Sequence, residues 1–116
     1  MTPPSASPAE PIDVDILAVD DTPANLVALD AVLAQPDVNV VRATSGATAL
    51  ALLQARAFAV VILDAQMPIM DGFEVARRIR GSRLHATTPI IFLTAFDVSQ
   101  DEVHRAYAAG AVDFVV

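Results

Sequence analysis

The chain has 116 residues, a formal net charge of −7 and 54% hydrophobic residues, which bounds it to one domain with strands apolar enough to be buried on both faces. Its acidity argues against direct nucleic-acid binding by this domain, because phosphate neutralisation needs clustered cations. With no cysteine it has no disulfide framework or thiolate metal site, and with no apolar run near the roughly 20 residues of a membrane helix and no basic-then-apolar N-terminus, a cytoplasmic location without membrane insertion is expected.

Residues 1–13 form a Pro-rich stretch with Pro3, Pro4, Pro8 and Pro11, expected to be a disordered lead-in or linker before a domain spanning 14–116. From Val14 onward, short apolar runs alternate with helical stretches, the pattern of βαβ units. The apolar runs predict strands at about 15–19, 38–43, 59–63, 89–93 and 112–116. A first helix is predicted from Thr22 as N-cap and Pro23 at the first helical position to about Gln35, with Leu26, Leu29 and Leu33 as its apolar stripe. A second runs from Ser45 as N-cap to about Arg56, with Leu50 and Leu53 inward. A third starts near Gly72 and ends near Gly81, with Phe73, Ala76 and Ile79 on one face. A fourth covers about Ser99 to Ala109, with Val103 and Tyr107 on one face and Gly110 as its stop. No helix follows the fifth strand, so apolar sheet surface near the first, third and fifth strands is expected to drive homo-oligomer formation.

Acidic residues stand where apolar runs end. Asp20 and Asp21 follow Ile16-Leu17-Ala18-Val19, and Asp64 follows Val60-Val61-Ile62-Leu63. Thr94 ends Ile90-Ile91-Phe92-Leu93. If these runs are parallel strands of one open α/β sheet, all four side chains gather at its carboxyl edge, where such sheets build their sites. Three carboxylates in one small space repel each other and invite a hard divalent cation. Mg²⁺ suits the role, since it binds one or two carboxylates together with phosphate oxygens. Asp64 is the best candidate nucleophile, because a carboxylate accepts a phosphoryl group as an acyl phosphate. The Thr94 hydroxyl is placed to donate to a phosphoryl oxygen.

Several neighbours have plainer readings. Asp71 and Gly72 read as turn chemistry that opens the third helix. Met67 and Met70 read as packing residues. His85 and His104 are expected to face solvent, and Arg77, Arg78, Arg80 and Arg83 to form a solvated face.

The segments Asp20-Asp21-Thr22-Pro23-Ala24-Asn25, Asp64-Ala65-Gln66-Met67-Pro68-Ile69-Met70-Asp71-Gly72, Thr94-Ala95 and Ala109-Gly110-Ala111-Val112-Asp113-Phe114-Val115-Val116 make the chain resemble the receiver domain of bacterial two-component response regulators. The Met-Pro-x-Met-Asp-Gly run after a strand-ending Asp is the most specific part of the match, which covers about Asp15 to Val116. The resemblance implies a flavodoxin-like, doubly wound, five-stranded parallel sheet in order 2-1-3-4-5. It implies that Asp64 is the phosphorylation site, and that Mg²⁺ is held by Asp21, Asp20, Asp64 and the backbone carbonyl of Gln66. Thr94 would be the switch hydroxyl and Phe114 the switch aromatic coupled to it. The phosphoryl group would come from the phosphohistidine of a histidine kinase or phosphotransfer protein, with Asn25 and Leu26 contributing to that choice.

The domain would then be a conformational signalling switch of a phosphorelay rather than an enzyme, although it assists its own phosphorylation and dephosphorylation. The departure from the family pattern is that the lysine expected as residue 117 and the fifth helix are missing, which suggests a C-terminally incomplete receiver. A phosphorylation-independent pseudo-receiver acting as an interaction module is the alternative. A phosphohydrolase with an aspartyl nucleophile would need a substrate-binding cap for which this chain has no room. Gln66 and Phe96 flank the implied path of hydrolytic water, and the bulk of Phe96 predicts slow self-dephosphorylation.

Overall fold

The computed structural model describes residues 13–93, His104, Ala108 and the backbone of 113–115. Five strands, β1 (Val14–Val19), β2 (Val38–Ala43), β3 (Val60–Asp64), β4 (Ile90–Leu93) and β5 (Asp113–Val115), alternate with helices α1 (Pro23–Leu33), α2 (Gly46–Ala55) and α3 (Gly72–Arg80). All strand pairs are parallel and the order is β2-β1-β3-β4-β5. The predicted strands, order and first three helices are therefore present, with ends shifted by one or two residues. His104 and Ala108 are helical and exposed within the predicted fourth helix; the rest of that helix, the lead-in before Asp13, Thr94 and Phe96 lie outside the described residues.

Strand alternation divides the apolar residues between two faces of the sheet. Leu17 and Val19 of β1, Val61 and Leu63 of β3, and Ile90 and Phe92 of β4 join one core with Ala49 and Leu53 of α2 and Phe73, Val75, Ala76 and Ile79 of α3. Phe92 is fully buried, and its ring stacks on Phe73 with centroids 5.0 Å apart. The opposite face is thinner. There Leu26 of α1 is buried, whereas Leu29, Leu33, Val60, Ile91 and Leu93 are half-buried.

The helix starts differ in how they are closed. The Ser45 side chain accepts from the Thr48 N–H at 3.1 Å, and the Asp71 carboxylate from the Glu74 N–H at 2.9 Å, as N-caps do. Thr22 holds the N-cap position of α1 but makes no side-chain cap bond. Instead Asp20 accepts from the Thr22 N–H at 2.9 Å and from the Asn25 side-chain amide at 3.1 Å. Asp20 is thus the residue that organises the entry to α1.

Two solvated residues of the sequence reading are not solvated. His85 is 1% exposed. Its Nε2 faces the carbonyl oxygens of Leu53 at 2.8 Å and Arg56 at 3.2 Å, and its Nδ1 meets the Thr88 hydroxyl at 3.0 Å. The ring ties the connection before β4 to the end of α2, which makes burial of a polar group tolerable. Arg80 is half-buried and donates to the carbonyls of Thr88 at 2.6 Å and His85 at 3.3 Å. Arg77 and Arg78 do face solvent, both paired with Glu74.

Candidate functional site

The parallel sheet delivers the ends of β1 and β3 side by side, since Val19 pairs with Leu63. The next residues of both strands are acidic, and the turn into α1 begins at once, so Asp20, Asp21 and Asp64 converge. One carboxylate oxygen from each lies within 4.8 Å of the others. They line a cleft of about 400 Å³ with Thr22, Asn25 and Gln66 at its polar rim and Leu26, Leu29, Ile62 and Leu93 at its apolar base. Among the described lining residues there is no cationic side chain.

Asp64 is half-buried, Asp20 likewise, and Asp21 exposed. Burial pushes the Asp64 carboxyl up to about 6 from its ordinary 3.8, and the neighbouring charges of Asp20 and Asp21 push the same way. Only the Gln66 N–H, which donates to Asp64 Oδ1 at 3.1 Å, works in the opposite direction. The group is therefore still ionised at neutral pH and more basic than a solvated aspartate. A divalent cation would relieve all three carboxylates together, and an all-oxygen donor set with room for water fits a hard ion such as Mg²⁺.

The loop after Asp64 is built to hold it still. Gly72 N–H donates to the Ala65 carbonyl at 3.1 Å. A Cβ at position 72 would stand 2.2 Å from the Asp64 carbonyl oxygen, so the start of α3 approaches the end of β3 closer than any side chain permits. The glycine of the Met-Pro-x-Met-Asp-Gly run is thus a steric requirement of the junction between β3 and α3. Met67 is buried and Met70 half-buried against the core, in keeping with packing roles.

Of the sequence-predicted site residues, Asp20, Asp21, Asp64 and Gln66 come together in one cleft. The backbone of Phe114 lies on β5 opposite Phe92, and its side chain lies outside the described residues, as does Thr94. Sequence reasoning assigned no structural part to Asn25, whose amide orients Asp20. The signal was available, since an amide one turn into the helix can reach back to the second residue before its cap.

Comparison with known proteins settles the family. The response regulator receiver domain family matches residues 16–116. The chain belongs to that family. It is 40% identical over 121 residues to the virulence sensor protein BvgS of Bordetella bronchiseptica, a match covering 97% of this chain and 10% of that protein. The chain therefore spans about a tenth of that relative's length. Among solved structures it superposes on the chemotaxis protein CheY4 of Vibrio cholerae with a TM-score of 0.84 and 33% identity, covering 90% of this chain and 86% of the other. It also superposes on the receiver domain of sensor histidine kinase PA1611 of Pseudomonas aeruginosa, with a TM-score of 0.78 and 27% identity over 88% of this chain and 83% of that one. That structure has a magnesium ion coordinated in the active site cleft. The receiver fold inferred from the sequence is thereby established, and among the described residues no helix is long and apolar enough to cross a membrane.

Proposed function

We propose that this receiver domain takes a phosphoryl group from the phosphohistidine of a histidine kinase or phosphotransfer protein onto Asp64, and signals by changing conformation. The observation that carries the reading is the convergence of Asp20, Asp21 and Asp64 within 4.8 Å around a carboxylate whose affinity for protons is raised to about 6. Intact acidic residues at all three positions favour this over a phosphorylation-independent module.

In the transfer, one Asp64 oxygen attacks phosphorus in line with the histidine nitrogen. The O–P bond forms as the N–P bond breaks, and the imidazole leaves with its electron pair and takes up a proton. The Gln66 N–H holds Asp64 Oδ1, which fixes the attacking carboxylate in orientation. The hydrogen bonds from Thr22 and Asn25 hold Asp20 in the cleft. Asp21, Asp20, Asp64 and the Gln66 carbonyl are the groups that would hold Mg²⁺, which when bound neutralises the carboxylates and the incoming phosphoryl oxygens. Thr94 is proposed as the hydroxyl that binds the transferred group, and Phe114 as the aromatic that moves with it. The half-buried face of Val60, Ile91 and Leu93 supports association of copies of the chain, which light scattering would detect as a mass above the monomer.

The test is intact mass after acetyl phosphate treatment, with and without Mg²⁺, beside Asp64→Ala. A Mg²⁺-dependent phosphoryl adduct absent from the variant is expected. No adduct under any condition would turn the reading toward an interaction module.

A further inference from the structure

Asn25 is an exposed polar residue in the first turn of α1, yet its side chain is committed to the cleft rather than to water. Its amide nitrogen donates to Asp20 Oδ2 at 3.1 Å, while the Thr22 N–H takes Asp20 Oδ1 at 2.9 Å. The backbone behind both partners is fixed. Asp20 N–H donates to the Ala43 carbonyl at the end of β2 at 3.1 Å, and Asn25 N–H to the Thr22 carbonyl at 3.0 Å. The freedom left to Asp20 is rotation of its carboxylate, and the two donors remove it.

Repulsion would give that rotation a direction. Asp20, Asp21 and Asp64 offer oxygens within 4.8 Å of one another, so an unrestrained Asp20 would turn away from its neighbours toward water. Among the described residues, Asn25 is the one side chain that donates to these carboxylates, and it is neutral. A lysine or arginine in its place would hold Asp20 and also cancel the charge that attracts a cation. An ionised carboxylate has about four acceptor sites. The two bonds occupy one on each oxygen and leave the others for a cation or its water.

We propose that Asn25 is a positioning residue that sets the affinity of the acidic cleft for its divalent cation, and that the same hydrogen bond couples occupancy of the cleft to the first turn of α1. The inference rests on the phosphoacceptor reading above, which supplies the cation. Coupling of this kind is reciprocal: if the Asn25 bond strengthens cation binding, a bound cation strengthens the bond and steadies the turn that carries it.

The experiment compares wild type, Asn25→Ala, Asp20→Ala and the double variant in the full chain. Alanine is a good helix former, so the exposed position keeps its helix. Mn²⁺ is the probe, since it takes the same oxygen donors as Mg²⁺ and its free concentration is read by electron paramagnetic resonance. Asn25→Ala should raise the Mn²⁺ dissociation constant about tenfold, as loss of a ligand's hydrogen-bond partner does. In the Asp20→Ala background the same substitution should change it by no more than about twofold, because Asn25 acts through Asp20. Amide hydrogen exchange supplies the reciprocal test: Mg²⁺ should slow exchange at Thr22 and at residue 25 in wild type, and less so in Asn25→Ala. An unchanged constant in Asn25→Ala overturns the inference, as does an equal loss in both backgrounds, which would make the effect one of general structure. Exchange at α1 indifferent to Mg²⁺ overturns the coupling. A wild-type chain that binds no Mn²⁺ would instead overturn the reading beneath the inference.

Discussion

The two ends of the sheet are built on opposite terms. At the amino-terminal end each described polar group close to the core has a partner. Asp15 at the start of β1 pairs with Arg56 and accepts from the Asn39 amide at 3.1 Å, His85 is bonded on both ring nitrogens, and Arg80 holds two carbonyls. At the carboxyl end three carboxylates share a cleft whose described lining has no cation. The same fold thus pairs opposite charges at one end and gathers like charges at the other. The difference teaches where stability and function reside: substitutions at the first end should move stability alone, and substitutions at the second should move activity and often raise stability.

The largest effect expected at the stable end is from His85→Ala. It leaves the Leu53 and Arg56 carbonyls and the Thr88 hydroxyl without their partner and opens a void, at a cost of about 3 kcal/mol in urea unfolding. Phosphorylation by acetyl phosphate at a temperature where the variant is folded should be unaffected, and its loss would break the separation of the two ends. Next in size is Gly72→Ala, which forces a methyl group against the Asp64 carbonyl and should cost about 2 kcal/mol. Because the displaced backbone carries Asp64, the proposed acceptor, this variant should also label more slowly. A Gly72→Ala chain that is destabilised yet labels at the wild-type rate would show that the loop does not position Asp64.

Asp64→Asn should abolish labelling and raise the thermal midpoint of the metal-free domain, since it removes one of three clustered charges. The pH dependence sharpens the point. An acid whose folded pKa is raised binds protons more tightly when folded, so Asp64 withdraws stability at pH above about 6 and restores it as pH falls toward 4. Asp15 has the reverse sign. Its hydrogen bond from Arg56, then that from Asn39, hold it below the ordinary 3.8, so its contribution is present above that value and lost as pH falls through the folded pKa. Metal-free wild type should therefore become more stable between pH 7 and 5 relative to Asp64→Asn, measured as the difference between their melting curves across pH. A difference that is flat in pH would contradict the raised value. The smallest effect is that of Asp15→Asn, a slight fall in midpoint at pH 7 that disappears in acid, as suits a half-buried pair still open to solvent.

Much of this was legible from the chain. The five apolar runs, each bounded by Gly, Pro, Asp or Thr, specify strands through burial, and the capping types at Ser45 and Asp71 fix two helix starts. The acidic site was legible because a carboxylate directly after a buried strand has few other reasons to be there. What escaped reading depended on contacts distant in sequence or on choices between equivalent groups. His85 is buried because carbonyls 32 and 29 residues away accept from it, which no local pattern shows. Asp20 and Thr22 are both able to close the start of α1, and the turn geometry selects Asp20. Ile69 sits at a position where a glycine would have announced the left-handed turn, and an isoleucine conceals it.

The central claim is that the carboxyl end of the sheet exists to make an acyl phosphate at Asp64. It is tested most directly by trapping the product with borohydride, which reduces an aspartyl phosphate to homoserine, and locating the change by peptide mass spectrometry. Homoserine is expected at residue 64 alone, after acetyl phosphate and only with Mg²⁺. Homoserine at Asp20, Asp21 or any other acid, or none at residue 64 in a folded protein, would contradict it.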